Sequence, residues 1–137
     1  MTPTETLLQN ARDWLLRIHP RMVALYVFGS AANGDRRGES DVDLAILNPE
    51  PIDPLQLYRD ARSLEAAINV DVDLVDLVTA STVLKKEVIA GGRLLYFSNH
   101  DAALDFEARV LSEYGRYVES IGPLLDAVRD SGQAYRP

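Results

Sequence analysis

Two apolar runs joined by a polar loop constrain this chain more than any other feature. Met22-Val-Ala-Leu-Tyr-Val-Phe28 leads without a break into Gly29-Ser30, ten residues follow, and Asp41-Val42-Asp43 opens the second run, which continues to Leu47. A strand that is apolar at every position must be covered on both faces, so the first run predicts a buried strand over 22–28. Side chains at i and i+2 of a strand share a face. Asp41 and Asp43 therefore present two carboxylates side by side, roughly 6–7 Å apart at a rise of ~3.3 Å per residue, with Ala45 and Leu47 beyond them. Val42, Leu44 and Ile46 take the other face. A glycine turn supplies backbone N–H groups for phosphate, and paired carboxylates supply hard oxygens for a divalent cation. The combination suits a magnesium-bound nucleotide.

The charge distribution points the same way. The chain carries a net charge of −7, and residues 39–76 hold ten acids against Arg59 and Arg62 alone. Glu50, Asp53, Asp60 and Glu65 read as a solvated surface. The strand aspartates do not, because like charges repel unless a cation neutralises them. An acidic balance argues against nucleic acid as a direct partner, which favours a basic stripe, and it is compatible with a basic protein partner.

Other chemistries are excluded. With no cysteine there is no disulfide framework, zinc ribbon or thiol nucleophile. His19 and His100, the two histidines, are too few for a multi-histidine centre, and His19 reads as a helix-end residue. No apolar run approaches the ~18 residues of a membrane span, and the N-terminus has no basic-then-apolar signal. The expectation is a cytoplasmic protein without membrane association, with residues 1–137 forming a single domain.

The remaining elements follow from periodicity. Thr2-Pro3-Thr4-Glu5 reads as a capping box with proline at the first helical position, followed by an apolar stripe of Leu7, Leu8, Ala11, Trp14, Leu15 and Ile18. Ser30–Asn33 suits a short helical turn whose N–H groups face an anion, and Arg36 or Arg37 in the loop beyond is a candidate to hold phosphate oxygens. Asp53-Pro54 opens a second helix with Leu57, Ala61, Leu64 and Ile68 inward. A third strand spans 71–78, with Asp71, Asp73, Val75 and Leu77 on one face and Asp76, a strand-end residue, on the other. Asp73 is favoured over Asp71 as a site residue because Val72 and Leu74 set it deeper in the strand. The competing reading of both is a charge-protected edge strand. Ser81 caps a third helix that stops at Gly91-Gly92, and 93–97 is a fourth strand. From Asp101 a long helical pattern runs through Leu111, Tyr114, Val118 and Ile121. Gly122-Pro123 is expected to break or kink it, and Ser131–Pro137 reads as a disordered tail. This is an α/β (α+β) pattern: a small mixed sheet, flanking helices and a long C-terminal helix.

The motif Gly29-Ser30-x10-Asp41-x-Asp43, with Val72-Asp73-Leu-Val-Asp-Leu77 behind it, resembles the minimal nucleotidyltransferases of the DNA polymerase β superfamily, and most nearly the MntA-type antitoxins. The similarity covers most of residues 20–97, including Gly91-Gly-Arg-Leu-Leu-Tyr96; the C-terminal helical region 101–131 matches only in kind. The resemblance implies a nucleotidyltransferase fold and transfer of AMP from ATP to a tyrosine of a partner HEPN ribonuclease toxin, which neutralises it. Carried across by residue, it implies Asp41, Asp43 and Asp73 as catalytic ligands of magnesium, two ions in the family's pattern, with Gly29 and Ser30 at the phosphates. The alternatives are a binding-only antitoxin that blocks the toxin sterically, and a transferase acting on a small molecule.

Overall fold

The computed structural model describes residues 2–33 and 41–134. Its elements are α1 (Pro3–Ile18), β1 (Ala24–Phe28), the 3-10 turn η1 (Gly29–Asn33), β2 (Val42–Leu47), α2 (Pro54–Ile68), β3 (Val72–Asp76), α3 (Thr82–Gly91), β4 (Arg93–Phe97) and α4 (His100–Ala134). The caps read from sequence are made. Thr2 accepts from the Glu5 N–H at 3.1 Å, Asp53 from the Leu55 N–H at 2.8 Å and Ser81 from the Leu84 N–H at 3.1 Å, each satisfying a helix-start donor that has no intrahelical partner.

The sheet is mixed, in the order β3-β2-β1-β4. β1 runs antiparallel to both β2 and β4, and β2 runs parallel to β3. β1 lies inside the sheet and all five of its residues are buried, as an apolar run on both faces requires. One face carries Leu25, Val27, Val42, Leu44, Ile46, Val72 and Leu74 against Leu8, Ala11 and Leu15 of α1 and Ala61 and Leu64 of α2. The other carries Ala24, Tyr26, Phe28, Ala45 and Leu47 against Val88 of α3 and Ala103 of α4. The period-2 alternation of β2 thus sorts Val42, Leu44 and Ile46 to α1 and α2, and Asp43, Ala45 and Leu47 to the side of α3 and α4.

Several surface readings are corrected by the packing. Asp60 is 6 % exposed and pairs with His19, whose Nε2 stands 2.8 Å from Asp60 Oδ2; Gln56 Nε2 donates to its other oxygen at 2.7 Å. His19 does end α1, but its Nδ1 also lies 3.1 Å from Asn48 Nδ2, so it ties α1, α2 and the end of β2 together. Glu65 is half-buried, and accepts from the Val72 N–H at 2.8 Å and from Arg62. In each case a polar side chain is buried because it has found a partner. Glu50 and Asp53 are exposed, as read.

The C-terminal helix differs from expectation as well. α4 continues through Pro123 to Ala134, so Gly122-Pro123 does not break it, and residues 131–134 are helical. A proline inside a helix removes one N–H and frees the carbonyl four residues back. Glu119, whose carbonyl is freed, is an exposed residue.

Asp76 ends β3 as read, and its role is structural. It is 4 % exposed, with Oδ2 accepting from the Ile52 N–H at 2.8 Å and Oδ1 from the Val78 N–H at 2.9 Å. Asp76→Ala strands a buried donor and should destabilise the fold by about 2–4 kcal/mol; urea unfolding measures this, and a loss below ~0.5 kcal/mol contradicts the reading.

Candidate active site

β1 ends at Phe28, whose partner in the antiparallel ladder is Asp43. The next residue, Gly29, has φ +68°, a left-handed conformation that only glycine adopts without strain. A Cβ built there would collide with the Asp43 carboxylate. The turn therefore rests directly on that carboxylate, and the missing side chain is what lets it do so. Gly29 begins η1, which is the short helical turn expected from Ser30–Asn33. Ala31 anchors the turn in the core at 0 % exposure, and Ser30 is exposed.

From the other side, parallel pairing of β2 with β3 sets Asp43 in register with Asp73. Neighbouring strands lie ~4.8 Å apart, so these two carboxylates occupy adjacent places on one face. Asp41 immediately precedes β2 and is exposed, as is Asp73; Asp43 is half-buried. Burial raises the Asp43 pKa above its ordinary value, and the charges of Asp73, Asp41 and Glu87 raise it further. Negative charge has been concentrated around one partly desolvated carboxylate. A divalent cation is the counter-charge that relieves such a set.

Asp73 is the ladder neighbour of Asp43, the charges of Asp73 and Asp41 both bear on it, and the Gly29 turn lies against its carboxylate. No group of three or more His, Cys, Asp or Glu side chains among the described residues is already drawn into metal-holding geometry. The donor chemistry of Asp41, Asp43 and Asp73, hard carboxylate oxygens, is that of a divalent-cation site. Arg36 and Arg37 lie outside the described residues. Asp71 sits just before β3, exposed. β3 is an edge strand of the sheet, so its charges also discourage strand addition there.

Glu87 was not singled out by sequence. It is exposed on a helix whose Val88 is buried against the sheet face that carries Phe28, and only that docking brings its charge to Asp43. No spacing signal in the chain announces it. A cavity of about 360 Å³ lies elsewhere, at the opposite end of the strands, lined by Leu47, Leu77, Lys85, Phe106 and Glu113 among others. Neither the aspartates nor the Gly29 turn of the open acidic site lines it.

This fold, with its glycine turn and strand aspartates, is that of a nucleotidyltransferase: the chain belongs to the family described as "Polymerase beta, Nucleotidyltransferase", whose model matches residues 14–101. It is 37% identical over 109 residues to the protein adenylyltransferase MntA of Shewanella oneidensis, covering 80% of this chain and 78% of that protein. Among solved structures it is similar to a chain in a crystal structure of a toxin–antitoxin with AMP-PNP (TM-score 0.79, 34% identity, 88% of this chain and 98% of that chain). A second is the tri-AMPylated Shewanella oneidensis HEPN toxin in complex with MNT antitoxin (TM-score 0.78, 28% identity, 92% of this chain and 98% of that one). Among the described residues no helix is long and apolar enough to cross a membrane.

Proposed function

We propose that this protein is an antitoxin adenylyltransferase that transfers AMP from ATP to a tyrosine of a partner HEPN toxin and thereby neutralises it. The observation that carries this reading is the contact of the Gly29 turn with Asp43, beside Asp73 in register, in a chain 37% identical to a protein adenylyltransferase. Residues 1–137 act as one nucleotidyltransferase domain, with its core at about 20–97, working in the cytoplasm where ATP and the toxin are available.

In the reaction the tyrosine oxygen attacks the α-phosphorus of ATP. The bond from that phosphorus to the bridging oxygen breaks, pyrophosphate leaves and the phenolic proton is released. Little covalent chemistry is required of the protein, so catalysis is positioning and charge neutralisation. Gly29 and Ser30 hold the β- and γ-phosphates through backbone N–H groups and the Ser30 hydroxyl. Asp41, Asp43 and Asp73 would hold magnesium, which when bound supplies the positive charge that offsets the triphosphate and the developing charge on the attacking and leaving oxygens. Asp73, at the sheet edge, faces the side from which a protein acceptor arrives.

Asp73→Asn tests the reading. Asp73 is exposed and unburied by any neighbour, so the substitution leaves the fold and the complex with the toxin intact. Intact mass of the toxin after incubation with ATP and magnesium should show AMP addition by the parent protein and none by Asp73→Asn. Cells expressing toxin with the variant should then be poisoned despite normal complex formation. A variant that still protects, with no mass added to the toxin, would establish the steric alternative instead.

A further inference from the structure

Behind the Gly29–Ser30 turn, on the face of the sheet away from Asp43, Arg93 joins three separate elements. β4 starts close against β1 because Gly92 has no side chain: a Cβ there would meet the Val88 carbonyl and stand 2.8 Å from the Val27 carbonyl. The Gly92 N–H closes α3 on the Val88 carbonyl at 2.8 Å. The next residue, Arg93, is the ladder partner of Val27, two residues before β1 gives way to the turn. Its guanidinium then reaches in two directions. Nε donates to the Ala32 carbonyl of η1 at 3.4 Å, and Nη2 donates to Glu5 Oε1 in the first turn of α1 at 2.9 Å.

Glu5 therefore has a second task. Its N–H closes the cap on Thr2, while its carboxylate is held by Arg93. The two side chains of the ion pair are 41% and 40% exposed, and an exposed pair of this kind contributes little to stability. What it does is geometric. Ala31 is sunk in the core, Ala32 is tethered through its carbonyl, and Gly29 and Ser30 are the two residues of η1 that precede them. A planar guanidinium can serve two acceptors that lie apart, which a point-charge ammonium does less well.

We infer that Arg93, steadied by Glu5, is a positioning residue that fixes the back of η1 so that Gly29 and Ser30 meet the triphosphate of ATP without rearrangement. It stands behind the turn and does not itself touch nucleotide. The inference rests on the assignment of Gly29 and Ser30 as the phosphate turn, so its test includes Ser30→Ala as the control on that assignment.

The measurement is the affinity of the full-length protein for AMP-PNP with magnesium, by titration calorimetry, alongside melting temperature and kcat at saturating ATP. Arg93→Gln should weaken AMP-PNP roughly fivefold to tenfold, the scale of one lost ordinary hydrogen bond. Arg93→Lys should recover only part of that loss, and Glu5→Gln should lose roughly twofold to threefold. The melting temperature should move by less than about 2 °C, and kcat at saturating ATP should stay within about twofold, because a bound nucleotide still meets the same carboxylates. Unchanged affinity in Arg93→Gln, where Ser30→Ala weakens binding, overturns the role of Arg93 and leaves the phosphate turn standing. Unchanged affinity in both variants overturns the turn assignment and this inference together. A weakened affinity accompanied by a large fall in melting temperature also overturns it, since the residue would then act through the fold.

Discussion

Asp43→Asn should lower AMP transfer to the toxin by at least ~10³-fold while making the protein more stable at neutral pH. The loss of activity follows from position. Asp43 is the carboxylate on which the Gly29 turn rests and around which Asp73, Asp41 and Glu87 gather. The amide keeps the volume but supplies no charge to the cation that neutralises the reacting phosphates, and such electrostatic contributions are commonly the largest in catalysis. The gain in stability follows from the same crowding. Burial and then its acidic neighbours raise the Asp43 pKa in the folded protein. Between the ordinary carboxylate value and that raised value the native state binds more protons than the unfolded chain, so stability increases as pH falls through this window. Above it, ionised Asp43 disfavours the fold, and the asparagine removes that cost. Melting curves should place Asp43→Asn above the parent by roughly 1–4 °C at neutral pH, with the difference narrowing as the pH is lowered. Added magnesium should raise the parent's melting temperature and leave the variant's nearly unchanged. Transfer within tenfold of the parent rate would remove Asp43 from the machinery.

Gly29→Ala should be nearly as damaging to activity, for a steric reason. At φ +68° an alanine carries left-handed backbone strain of about 1–2 kcal/mol, and its methyl occupies the place of the Asp43 carboxylate. The chain has two ways out. The carboxylate rotates away, or the turn lifts from the strand; both separate the N–H groups proposed to hold phosphate from the oxygens proposed to hold magnesium. Transfer should fall by ~10²-fold or more, since small displacements from reactive geometry carry penalties of that order. Urea unfolding should show a loss of only about 1–2 kcal/mol, which separates a misplaced site from an unfolded protein. Activity close to the parent's would mean that the turn and Asp43 work independently.

Both positions are legible in the sequence. The spacing Gly29-Ser30-x10-Asp41-x-Asp43 already points to the family, and the alternation of β2 assigns the faces. Both are properties of contiguous residues: a strand repeats every two residues whatever it packs against. The helix starts at Thr2, Asp53 and Ser81 are equally local, because a cap is a side chain bonding to backbone two or three residues ahead. The glycine at position 29 reads as a turn for the same reason.

The arrangement of those pieces was decided by the tertiary structure. Asp73 meets Asp43 because β3 pairs parallel to β2 in one particular register, and a shift of one residue would have turned it to the opposite face. Glu87 joins them through the docking of α3, and Arg93 reaches Ala32 and Glu5 across residues far apart in the chain. Asp60 and Glu65 looked like solvated helix charges, but His19 and the Val72 N–H took them into the interior. α4 passes Pro123 on an exposed stretch of helix, a fact about exposure that composition does not carry. Local pattern specifies which face a side chain takes; which other side chain waits on that face depends on elements meeting in space. The sequence by itself therefore determined the faces, the caps and the family motif, while the fold decided which carboxylates stand side by side and which side chains brace the Gly29 turn.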